Sequence, residues 1–290
     1  MVFWPTLTLG GLILFRAEAL GRTHHFWLHR NLSMKSLPLI TLAGLLVTAC
    51  QTAPAANTGF LSRYEGLVTR EDTIRASVRE RRDDAGVAAV DRVWLEPAVL
   101  VAGAGTGLSE ADKALVLREV DRQVCYEVSE RFALADRAAG AARLRTGVVD
   151  IRATGTAGSG IAAVANAFIP GPGTLRVPGT TGGLAAESEL VDARGEQLAA
   201  LAWARNANVV GTDSPSLSRV GDALQLAEPF GDAVGDAISQ PARPVRQISD
   251  PDPCAHYGPR TQPIGFATRL VTGLYVPQVN TGAAAETPKP

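Results

Sequence analysis

The order of residues 34–50 decides how much of this chain is left to fold. Met34-Lys35-Ser36 is a short positive start, residues 37–47 form an apolar run, and Val47-Thr48-Ala49 brings small residues up to Cys50. This is the layout of a secretory signal, which is cut away and takes no part in the mature fold. The apolar run is too short to cross a bilayer, which takes about 20 apolar residues. A core helix is the other reading. Against it stands Gln51-Thr52-Ala53-Pro54-Ala55-Ala56-Asn57-Thr58, small, polar and proline-bearing as a flexible tether is. The signal is internal. The simplest account starts translation at Met34 and makes residues 1–33 an upstream segment with a misassigned start. The alternative is an authentic long N-terminus with residues 2–15 as a first apolar segment.

A cysteine directly after the small residues resembles the lipobox of bacterial lipoproteins. That resemblance implies cleavage between Ala49 and Cys50, a diacylglyceryl group on the Cys50 thiol, and acylation of the new amine. Two or three acyl chains anchor stably where one does not, each buried methylene contributing ~0.8 kcal/mol. Gln51 stands where an Asp would imply retention at the inner membrane. The implied address is the outer membrane, on its periplasmic face, with residues 50–58 as the tether and the membrane as a partner through the lipid.

The remainder is mildly acidic. Of 28 basic and 29 acidic residues, Arg16, Arg22, Arg30, Lys35 and Glu18 precede Cys50. Nucleic-acid binding needs a basic patch and finds no support. With 46% hydrophobic and 6% aromatic residues, the chain has material for a core, built mainly from small side chains.

Periodicity gives the elements. Residues 59–84 read as a lead-in, with the charge run 79–84 as a solvated face. Residues 93–101 alternate as a strand. Gly103, Gly105 and Gly107 make a turn, and Ser109 with Asp112 caps a helix to about residue 132. Its apolar stripe is Leu117, Val120, Val124 and Val128, with Cys125 at the edge. Residues 143–153 form a strand. Residues 187–191 and 197–205 pair around Asp192-Ala193-Arg194-Gly195. Residues 218–238 form a helix that Pro229 interrupts. The order favours an α/β (or α+β) fold: a small mixed sheet of about 4–5 strands with two main helices on one face. The domain covers residues 59–240, and residues 241–290 are an irregular, proline-rich extension.

Several short motifs recur in a known order. Gly59-Phe60-Leu61-Ser62-Arg63-Tyr64 opens the domain, and Val93-Trp94-Leu95-Glu96-Pro97 ends a strand near proline. Leu108-Ser109-Glu110-Ala111-Asp112 starts the first helix, and Ser129-Glu130-Arg131-Phe132 ends it. The ordered set resembles the lipoprotein family catalogued as domain of unknown function 3313, over residues 59–238. Cys254-Ala255-His256-Tyr257-Gly258-Pro259-Arg260 matches a subset of its members. The resemblance implies a location and a fold, and no catalytic residue.

Chemistry is sparse. With Cys50 lipidated, Cys125 and Cys254 remain. One intramolecular disulfide is then possible in an oxidising compartment, the other reading being a buried thiol and an unpaired Cys254. The glycines at 103–107 lack the dinucleotide spacing and read as a capping turn. After Cys50 the one histidine is His256, so neither a Ser-His-Asp constellation nor a metal site has its ligands. No cofactor is expected. Glu187 and Glu189 fall on one face of a strand, as glycosidase carboxylates can, though the solvent side of a half-buried strand accounts for them as well. Residues 161–169 are apolar amid Gly and Pro, either a partner patch or a loop folded on the core. The expected function is a non-enzymatic lipoprotein that binds or scaffolds an envelope protein or peptidoglycan. The alternative is a periplasmic hydrolase of envelope glycans working through carboxylates.

Overall fold

The computed structural model describes residues 57–71, 73, 75–166 and 174–281. The signal, Ala49, Cys50 and most of the tether lie outside them. The strands are β1 (Val68–Thr69), β2 (Ala76–Arg82), β3 (Arg92–Leu95), β4 (Val99–Leu100), β5 (Ala133–Leu134), β6 (Ala142–Arg152), β7 (Thr174–Leu175), β8 (Gly183–Val191), β9 (Gln197–Asn206) and β10 (Val210–Gly211). The helices are α1 (Asp84–Ala88), α2 (Glu110–Ser129), α3 (Thr156–Asn166), α4 (Gly221–Ala237), α5 (Pro263–Thr272) and α6 (Pro277–Asn280). No described helix is long and apolar enough to cross a membrane.

The α/β class holds, with a larger sheet than expected. Eight strands run in the order β1-β2-β9-β8-β6-β3-β5, with β4 also on β6. The β2, β9, β8 and β6 pairings are antiparallel, while β3 and β4 pair with β6 in parallel. Besides the two-residue β1 on β2, three differences from the sequence expectation account for the added strands. The charge run at 79–84 is not a free face: Arg79, Glu80, Arg81 and Arg82 sit in β2, in register with β9. The strand expected over 93–101 is two, because Pro97 has no N–H for the ladder and the Ala98 N–H turns to Asp121 Oδ1 at 2.7 Å. A two-residue strand, β5, follows α2 directly and pairs with β3.

Local chemistry explains the best-defined elements. Ser109 Oγ accepts the Asp112 N–H at 3.1 Å and caps α2. The β8–β9 hairpin closes through Asp192, whose N–H reaches Glu196 O, and Gly195 at φ 85°. Val116, Val120, Val124 and Val128 form the buried stripe of α2, with Leu117 only partly buried. Pro229 does not break α4, which runs through it. Val220, Leu224, Ala227, Val234 and Ile238 are buried as the periodicity requires, and Phe230 meets Trp203 of β9 with centroids 5.6 Å apart. A Cβ on Gly231 would lie 3.0 Å from the Gln123 backbone, so α2 and α4 approach at a glycine. At the start of α4 the buried pair Arg176–Asp222 clasps the chain, and Asp222 also accepts the Gly182 N–H at 2.6 Å.

Residues 241–281 of the extension are held against the domain. Arg246 N–H bonds Glu130 O at 2.7 Å, Cys254 is bonded to Cys125 with Cα atoms 6.0 Å apart, and Tyr126 Oη donates to Gly258 O at 3.0 Å. Tyr275 enters the main core cluster. The reason lies in α2. Glu119, Arg122, Cys125, Tyr126 and Ser129 recur at helical spacing on a second face, and all are buried. The extension covers this face, so α2 is sandwiched between the sheet and its own C-terminal sequence.

Candidate functional site: the open face of the sheet

The helices cover one face of the sheet. The other is lined by small residues. Ala202 and Ala204 of β9 form a minor cluster with Ala185 of β8 and with Leu67. Residues 57–67 lie across this face. Phe60 rests on Gly147, where a Cβ would come within 2.6 Å of the ring. Arg145 packs over that ring, Cζ 5.2 Å from its centroid.

Glu187 and Glu189 sit beneath this strap. They are 1% and 0% exposed, not solvent-facing as a half-buried strand suggested. Glu187 Oε2 accepts from Tyr64 Oη at 2.6 Å and Thr58 Oγ1 at 2.7 Å. Glu189 Oε2 accepts from Ser62 N–H (2.9 Å), Ser62 Oγ (2.7 Å) and Gln197 Nε2 (2.8 Å). Arg145 Nη1 donates to Glu189 Oε1 at 2.6 Å, and Arg81 Nη1 holds Gln197 Oε1 at 3.0 Å. Burying a carboxylate is costly unless it is hydrogen-bonded, and Glu189 is matched on both oxygens. Glu187 Oε1 has no partner among the described residues. The two acids face the covering segment instead of an open cleft, so the geometry does not present them as a facing acid and base.

The remaining candidates are scattered. Cys125 and Cys254 form the disulfide on the far side of α2, whereas Cys50 is not described. His256 stacks beside Tyr257 in a short helical turn at 255–257. The apolar run at 161–169 begins as the end of α3, where Ile161 and Val164 are 66% and 65% exposed, and its later residues are not described. Missed by sequence reasoning were Thr58, Ser62 and Tyr64 as ligands of the acid pair. Their signal was the motif Gly59-Phe60-Leu61-Ser62-Arg63-Tyr64 itself, two hydroxyl residues in a stretch otherwise read as a lead-in.

Two solved structures from Paraburkholderia phytofirmans are similar in part. The PelC dodecamer matches with a TM-score of 0.33 and 10% identity, covering 57% of this chain and 99% of that one. A single-substitution variant of it matches with 0.31 and 14%, covering 55% and 97%. No curated protein matches the chain. One family profile matches residues 56–234, from just before the strap to within α4. The chain belongs to that family, described as protein of unknown function, DUF3313.

Proposed function

We propose that this chain is a non-enzymatic lipoprotein of the bacterial envelope. It is anchored through a lipid on Cys50 at the periplasmic face of the outer membrane, where its domain binds or scaffolds a protein or peptidoglycan component. The observation that carries the reading is the strap. The residue at which the chain docks, Thr58, follows the lipid-site cysteine so closely that the stretch between them reaches roughly 26–29 Å fully extended. A docked strap on a short stem holds the domain beside a bilayer. The pairing of Cys125 with Cys254 suits an exported protein.

The test is metabolic labelling with palmitate in the native bacterium, followed by membrane fractionation. The label is expected in the wild-type protein and absent from Cys50→Ala, which is released from the membrane. An unlabelled wild-type protein, or an intact mass retaining residues before Cys50, overturns the reading.

A further inference from the structure

The second face of α2 holds a guanidinium that its surroundings do not saturate. Arg122 is 3% exposed. Its Nη2 donates to Glu119 Oε1 at 2.8 Å and to Asn280 O at 3.3 Å. Its Nε and Nη1 are buried with no hydrogen-bond partner among the described residues. An arginine carries five N–H donors, and buried donors are normally matched. Arg122 lines a recess of about 300 Å³ between α2, α4 and the C-terminal extension. Its other charged walls are Glu119, Glu228, Arg260 and Arg269. Arg260 is occupied by Asp252, at 2.7 Å. Arg269, half-buried on α5, is in no ion pair among the described residues.

We propose that this recess binds a small ligand carrying one carboxylate and an amide, as the C-terminal residue of a short peptide does, with the carboxylate on Arg269 and the charge of Arg122 in the wall behind it. Charge selects a monoanion: the Arg269 guanidinium is available, Arg122 adds positive charge from within the wall, and the two acids lining the same recess oppose a dianion. The amide follows from the rest of the lining, where the side-chain amides of Gln123, Gln262 and Asn280 each make one donation within the protein and keep a second N–H and a carbonyl, and Phe266 gives an apolar wall. The volume lies at the lower end of small-molecule sites, which begin near roughly 300 Å³. Burial pushes the Glu119 carboxyl up to about 7 against the pull of Arg122, which weakens its competition with an incoming carboxylate. Nothing in this proposal depends on the lipid anchor, so it stands or falls separately.

The experiment titrates the full chain, purified in detergent, with N-acetyl-alanyl-alanine in its L and D forms, against the methyl ester of each. Isothermal calorimetry and ligand-observed NMR report binding. The free acid of at least one form is expected to saturate, with the ester and the Arg269→Gln variant each weaker by about tenfold or more, the loss of one charge-assisted contact. Arg269 is on a surface helix, so that variant is expected to keep its fold, checked by an unchanged circular dichroism spectrum. Three results would overturn the proposal: no saturable binding up to about 10 mM, equal affinity for the ester, or equal affinity of the variant.

Discussion

Tyr64 Oη lies 2.6 Å from Glu187 Oε2 and donates to it across 123 positions of sequence, while the N–H groups of Thr58, Gly59 and Leu61 all point back at the same hydroxyl, at 2.9–3.2 Å. One phenol therefore organises the strap and satisfies one oxygen of a buried acid. Replacing Tyr64 with Phe keeps the ring and removes the hub. The loss should be about 1.5–3 kcal/mol, as for a hydrogen bond to a charged group. Urea denaturation checks it, and limited proteolysis should show faster cleavage within residues 57–66.

Gly147 and Phe60 make the second contact of the strap. A methyl group at 147 would meet the ring at 2.6 Å, so Gly147→Ala must lift Phe60 off the sheet. A cost of about 1–3 kcal/mol is expected, the range for overpacking. In a Phe60→Ala background the same substitution should be close to neutral. A double-mutant cycle measures the difference, and additivity would contradict the contact.

These two contacts also show what the sequence conveyed. Ser109 and the turn at Asp192 and Gly195 were legible, because each hydrogen bond closes within a few residues and the residue types name the geometry. So was most of the stripe of α2, Val120, Val124 and Val128, with Leu117 read in the place that Val116 takes. The acid pair was misread. Alternation along β8 places Glu187 and Glu189 opposite the core, which signals solvent unless something covers that face. The cover comes from residues more than 120 positions away. Arg122 and Glu119 carried no signal for a related reason: the segment that buries them is the proline-rich stretch taken for irregular coil. The charge run of β2 was hidden by its composition, since arginine stems line a strand while their heads reach out to Asn57, Gln197 and Asp84.

The disulfide should act chiefly on that C-terminal cover. Cys125 and Cys254 are separated by 129 residues, and closing such a loop stabilises by about 4–5 kcal/mol in the chain-entropy account. Urea midpoints with and without reductant should differ accordingly. Cys125→Ser with Cys254→Ser should match the reduced protein, and both should become protease-sensitive beyond residue 240. Equal midpoints would show that the cover holds without the bond.

Stability should fall as pH rises from about 5 to about 7. Burial pushes the Glu119 carboxyl up to about 7, opposed mainly by Arg122, and the Asp121 carboxyl up to about 6, opposed by the Ala98 N–H. Both ordinary values are near 4, so in this window the folded state binds protons that the unfolded chain has released. Stability from these groups is complete below the unfolded values and is lost as pH climbs through the folded ones. Urea midpoints at several pH values check the slope. Glu119→Gln should flatten its upper part, because the amide keeps the shape and does not titrate.

The strap also settles where a mechanical load would enter. A pull on the N-terminus reaches Thr58, Ser62 and Tyr64 before it reaches β1, and those side chains grip β8, an interior strand flanked on both sides. Force is thus delivered to the middle of the sheet, and the two-residue edge strand is spared. A domain loaded this way resists fraying from its N-terminal end.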